Sequence, residues 1–281
     1  MQYVLADPSL THRTAGEEFA RSVVGDDGEQ VEVRVTATLP TLFPLAATRP
    51  RYTVRHLLKT AVVVQEPVSY VTEPRPPQGL EHAGVRYADT PEATFGPRLT
   101  ETKLADVAAE VELPAGLVDD PALLAAFVDH RLLVRLCTAE NEALLRGSAD
   151  GAIEGLLSLS GLRRRPSSGP LAAELTRAAA DVEEMGGSCD AIVVHPVRYW
   201  ELVENGLLGR LGDVGVRVSR TRMIAPDQLL LGDFRAAVTL LDTGWSTLTL
   251  HRGEAGDRAV AAFRVGLAVH LPQHFLLLER A

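Results

Sequence analysis

Ser188 and Cys189 are the first residues whose types suggest chemistry, because a hydroxyl or thiol close in sequence to His195 is the raw material of nucleophilic hydrolysis. The segment Gly186-Gly187-Ser188-Cys189 follows a helical pattern and precedes a strand, however. It lacks the strand–elbow–helix order that presents a nucleophile, and a helix-ending turn is the better reading. An α/β hydrolase is therefore a distant alternative. His270 and His274 stand four apart with Pro272 between them, which excludes one helix face carrying both imidazoles. In a strand they would point the same way, but two ordinary exposed histidines are expected, and His195 before Pro196 reads as a strand-end residue. Gly147, Gly151 and Gly155 follow a helix and are joined by no lysine, so neither a P-loop nor a Rossmann turn is present. Arg163-Arg164-Arg165 reads as a solvated basic loop before it reads as a contact to nucleic acid or an acidic partner. Trp200 and Trp245 are expected to pack in the core. No catalytic residue, metal site or cofactor is expected.

The composition agrees with a structural role. The chain has 281 residues, 46% hydrophobic and 23% charged, the balance of an ordinary globular protein. A formal net charge of -9 gives no whole-molecule field that would draw nucleic acid or anionic lipid. Two cysteines, Cys137 and Cys189, fit no zinc spacing and make no disulfide framework. Lys59 and Lys103 are the only lysines, so lysine chemistry has almost nowhere to occur. The first residues lack the basic-then-apolar pattern of a signal peptide, and no apolar run nears ~20 residues. A cytoplasmic protein without membrane contact is expected.

The elements that would position these residues follow from periodicity. Thr14 to Val24 predicts a short helix with Thr14 and Glu17 as a capping box. Gln30 to Leu39 alternates as a strand. Strand-like segments at 60–73 and 103–118 flank residues 74–97, rich in proline and glycine. Such a stretch is unlikely inside a compact domain without a job, and two strands feeding it make a hairpin arm. A lone hairpin is marginal in water, so the arm should rest on a neighbouring copy. Asp119-Asp120-Pro121 opens a helix that Gly147 closes, ~27 residues and about 40 Å long. After it come a glycine turn at 147–161, a helix at 170–185, a buried strand at 191–194, a helix at 196–204, a glycine-rich loop at 205–215 and short strands to the end.

This order of parts resembles the Hong Kong 97-type phage major capsid fold, an α+β fold that encapsulin nanocompartments also use. The resemblance covers roughly residues 45 to 280. Gly84 to Phe95 with Thr100 to Val118 resembles the extended arm. Asp119-Asp120-Pro121-Ala122-Leu123 through Glu140 to Gly147 resembles the spine helix. Ile153-Glu154-Gly155-Leu156-Leu157 resembles the turn after it, and Ala191 to Pro196 with Leu231-Gly232-Asp233-Phe234 resembles the apical domain. The resemblance implies an N-terminal arm and short helix at 1–45 and a peripheral domain from 46–65 and 101–160 with its spine helix at 119–146. It further implies an extended arm at 66–100, an apical α/β domain at 161–245 and return strands of the peripheral domain at 246–281. It implies a shell subunit rather than an enzyme, whose partner is itself, in pentamers, with or without hexamers, of an icosahedral shell. Gly206, Gly209, Arg210, Gly212, Asp213 and Gly215 would form a pore loop. Tyr70, Arg75, Leu80, Val85, Tyr87 and Phe95 would form the inter-subunit arm, and Phe19 and Val23 would face the lumen and a cargo protein. An encapsulin-like compartment around a cargo enzyme is the first reading. The alternative is a phage or prophage capsid enclosing DNA, with nucleic acid as a partner and the virion as its place. With no lysine between Thr60 and Thr102, lysine–asparagine cross-linking of shells is unavailable to the arm.

Overall fold

The computed structural model describes residues 2–5, 13–42, 54–73 and 96–280. Two sheets organise it. The first has the order β1 (Gln2–Leu5), β2 (Gln30–Val35), β11 (Val238–His251), β12 (Arg258–Val269), β6 (Ala105–Glu112), with β3 (Lys59–Val62) added parallel to β11. Alternation decides its faces: Val31, Val33 and Val35 of β2 and Ala105, Val107, Ala109 and Val111 of β6 are buried while their neighbours turn outward. Residues 238–251, within the region expected as short strands, form one long strand, β11. Its register shifts between Asp242 and Ser246, where Gly244 takes a φ of 74°.

A long helix lies on the buried face. The Asp120 carboxylate accepts N–H bonds from Ala122 and Leu123, both at 3.0 Å, and Pro121 fills the first turn. The helix runs as α3 (Pro121–Phe127), a π-turn (Val128–Leu132) and α4 (Leu133–Arg146), ending at Gly147 with φ 101°. The π-turn departs from the uniform helix the sequence predicts. Its cause is visible in the helix that crosses there, α1 (Ala15–Val23), whose capping box is formed by Thr14 and Glu17. The Gly16 N–H donates to Asp129 Oδ1 at 2.9 Å, and a Cβ on Gly16 would lie 2.3 Å from the Ala125 carbonyl oxygen. The widened turn lets the buried Asp129 reach that N–H.

The second sheet has the order β7 (Arg163–Ser167), β13 (Phe275–Arg280), β10 (Gln228–Gly232), β8 (Ala191–Val194), β9 (Arg217–Arg220). It is buried on both sides, which is why β8 reads as an unbroken apolar run. Ile192, Val194, Leu229, Leu231, Leu276 and Leu278 meet α5 (Leu171–Glu183), α6 (Pro196–Glu204) and α7 (Leu207–Asp213). Ala191, Val193, Leu230, Phe275 and Leu277 face the large core shared with the long helix.

Three expectations are corrected here. Arg163 to Ser167 is strand β7, parallel to β13, and not a loop. Its charges are answered in place: Arg164 pairs with Glu279 at 2.6 Å, Arg165 pairs with Asp181, and Arg163 donates to the Gln273 and Asp181 carbonyls at 2.9 and 2.8 Å. Strand β13 belongs to this second sheet, so residues 246–281 do not all return to the first; a single 3-10 turn at Pro272–His274 carries the chain across. The glycine-rich segment 205–215 contains helix α7, because Gly206 (φ 63°) and Gly215 (φ 82°) bracket it while Leu207 is buried.

Candidate assembly surfaces

The groups considered for catalysis are not brought together. Cys189 is buried and its thiol is pushed up to about 12 by that burial, and the same holds for Cys137. His195 lies at the far end of β8 from Cys189 and caps α6, its Nδ1 accepting the Val197 N–H at 3.3 Å. The backbone N–H of Ser188 donates to Asp233 at 3.1 Å. His270 uses both ring nitrogens, one 2.9 Å from the Val71 carbonyl oxygen and one 3.1 Å from the Thr239 hydroxyl. His274 is buried in the 3-10 turn, correcting the expectation of an exposed residue. Among the described residues no group of three His, Cys, Asp or Glu could hold a metal ion.

The arm begins as a two-stranded ribbon, β4 (Val68–Thr72) against β5 (Arg98–Thr102). Its inner face is seated on its own chain. The Tyr70 ring meets His270 edge-on at 5.5 Å, and burial raises the Tyr70 hydroxyl above its ordinary range. The Glu73 N–H donates to the His270 carbonyl at 2.7 Å, and Arg264 pairs with Glu66 at the ribbon's root. Its outer face is open. Val71 and Leu99 are direct cross-strand partners, 48% and 78% exposed. Val62 and Val64, just before the ribbon, are exposed as well. Of the predicted arm residues, Tyr70 lies on the inner face against its own chain rather than on the outer one, while Arg75, Leu80, Val85, Tyr87 and Phe95 lie outside the described residues.

Gly209, Arg210, Gly212, Asp213 and Gly215 are exposed on and after α7, and Gly206 is its left-handed N-cap. Phe19 and Val23 are fully buried on the inner side of α1 and cannot face a lumen; the outward residues of that helix are Glu17 and Arg21. A hydrophobic residue on an amphipathic helix goes to the nearest core, and here that core is its own chain.

Two features were not foreseen. Trp200 is not in the core but exposed on α6, and Trp245 is half-buried, with the Arg34 guanidinium 4.3 Å over its ring. The other feature is a buried charge cluster. Arg55 donates to Glu140 Oε1 at 2.6 and 2.8 Å and to Asp242 at 2.6 Å, and Thr38 donates to Asp242 at 2.5 Å. Beside it the Val54 N–H donates to Asn141 at 2.6 Å. The cluster ties the start of β3 to the long helix and to β11. Its one sequence signal is a charged residue on the apolar face of the long helix, Glu140.

No protein-family profile matches the sequence, and no curated protein aligns with it. The fold, in contrast, has counterparts. A virus-like particle from Pyrococcus furiosus is similar with a TM-score of 0.55 at 13% identity, covering 87% of this chain and 97% of that one. The capsid of a native GTA particle is similar at 0.57 and 15% identity, covering 83% and 91%. A chain of Mycobacterium phage Adephagia is similar at 0.55 and 13%, covering 80% and 89%. The chain therefore has the Hong Kong 97-type capsid fold.

Proposed function

We propose that this chain is a shell subunit, which assembles with copies of itself into a closed icosahedral container. The observation that carries the reading is the open outer face of the ribbon. The ribbon's inner face is seated on its own chain, but the Val71–Leu99 pair leaves apolar surface on the outer face at the end remote from the root. A neighbouring copy is the cover the shell reading supplies. The likeness to particle-forming chains supports it. In this reading the role is structural and not catalytic. The exposed end of α7, with Arg210, would line a symmetry-axis pore of pentamers or hexamers.

For the interior, a cargo enzyme is the first reading and places the shell in the cytoplasm. A second reading, a phage shell around DNA, is favoured by one observation: Phe19 and Val23 are spent on the chain's own core, which leaves α1 without an apolar outer face for cargo. The test is electron microscopy of the purified chain with nucleic-acid quantification of the particles. Particles of one diameter are expected, and nuclease-protected nucleic acid inside them selects the second reading. A chain that stays monomeric at high concentration overturns both.

A further inference from the structure

Helix α6 turns an apolar stripe outward. Of its nine residues only Leu202 is buried, while Val197, Trp200 and Val203, three residues apart, are 57%, 59% and 40% exposed. The indole is nonetheless held in place. Tyr199 meets it edge-on at 5.6 Å, and the Arg220 guanidinium lies 4.1 Å from the Tyr199 centroid and 5.3 Å from that of Trp200. Beside the ring opens a cavity of about 310 Å³, bounded by Thr138 and Asn141 of α4, by Arg220 at the end of β9 and by Thr221 to Met223 after it. Arg222 on its wall is exposed and makes no ion pair among the described residues, and neither does Arg135, one turn before Thr138.

A fixed, exposed tryptophan flanked by arginine is the composition of an interface anchor, since pre-ordering lowers the entropy lost on binding. The charges indicate which partner. Arg198 and Glu201 of α6 neutralise each other, and Arg220, Arg222 and Arg135 outnumber the exposed Glu204, on a chain of net charge -9 whose second copy offers surplus carboxylates. Glu183 and Glu184 are such a pair. They sit exposed at the C-terminal end of α5, where their charge adds to the negative end of the helix dipole. No basic residue in the last turn and no ion pair among the described residues offsets them.

We infer that the Trp200 face of α6 is a contact between copies of this chain, with Trp200 as its anchor. Joining two different faces makes the contact heterologous, the kind that closes into rings. The inference rests on the shell reading and is tested so that the two can fail separately. A photo-reactive benzoylphenylalanine replaces Trp200, and equal amounts of nitrogen-15-labelled and unlabelled chains are mixed before assembly. Mixed-isotope cross-links from position 200 are the expected result. Particles that form normally while position 200 links only within its own chain, or to nothing, overturn the inference and leave the shell reading standing. A wild-type chain that never assembles overturns both. In parallel, Trp200→Ala should raise the concentration needed for assembly at least about tenfold and Trp200→Phe by less than about threefold, with circular dichroism unchanged. Unaltered assembly of Trp200→Ala would also overturn it.

Discussion

At the scale of single residues, the Arg55 cluster is the feature with most at stake. One guanidinium answers two carboxylates, Glu140 and Asp242, and Glu140 Oε2 has no hydrogen-bond partner among the described residues. Burial, only partly offset by Arg55, pushes the Glu140 carboxyl above its ordinary range. Replacing Arg55 with methionine leaves the carboxylates unanswered and should cost about 3–5 kcal/mol in denaturant unfolding, whereas Arg55→Met with Glu140→Leu should regain much of the loss. The pH dependence follows from the raised value. The folded state holds the Glu140 proton to higher pH than the unfolded state does. Its contribution to stability is therefore full below the ordinary carboxylate range and is lost as pH rises through the folded value. Melting temperatures of the wild type, set against Glu140→Gln, should fall as pH rises above the ordinary carboxylate range. A difference that stays flat or rises would contradict this assignment. Little of the cluster was legible beforehand, because Arg55, Glu140 and Asp242 are far apart in sequence and periodicity carries no information about which charges meet.

At the scale of elements, the end of the long helix is fixed by a backbone clasp. The Leu156 and Leu157 N–H groups donate to the Leu144 and Leu145 carbonyls at 2.9 Å, and Ser148 N–H donates to the Ile153 carbonyl at 3.0 Å. Gly155 makes this possible: its φ is 83°, and a Cβ there would lie 2.4 Å from the Gly147 nitrogen. Gly155→Ala should therefore destabilise by at least about 2 kcal/mol, measured by thermal or denaturant unfolding, while Gly151→Ala, with open space around it, should show only the smaller cost of its backbone angle. The elements that declared themselves were those with strong local signals, such as the Asp120-Pro121 start, the Thr14 capping box and the buried β8. Those that did not were β7 and α7. Three arginines and a proline give no strand pattern; β7 exists because Glu279, Asp181 and the open edge of β13 receive it. In α7 the glycines that read as loop are partly its end-caps.

At the scale of the whole molecule, two sheets share one core, and among the described residues apolar side chains stay exposed at the ribbon and on α6, beside scattered ones such as Leu123 and Val214. The order of parts made the fold legible despite identities of 13–15% to its structural counterparts, because an exposed hairpin, a long capped helix and an α/β unit must follow one another whatever the residues. The pairing of β13 with the second sheet was not legible, since alternation names the buried face of a strand but not its neighbour. The surplus surface predicts how variants divide. Val71→Asp with Leu99→Asp changes side chains that are exposed on the outer face, so its unfolding midpoint should stay near the wild-type value. Its assembly should be abolished.

Sedimentation velocity of the purified wild type beside that double variant tests this most directly. The expected pattern is one fast, sharp boundary of a closed particle for the wild type and a 30.3 kDa monomer for the variant. A wild-type chain sedimenting as that same monomer at high concentration, or a variant that closes into particles just as well, would contradict it.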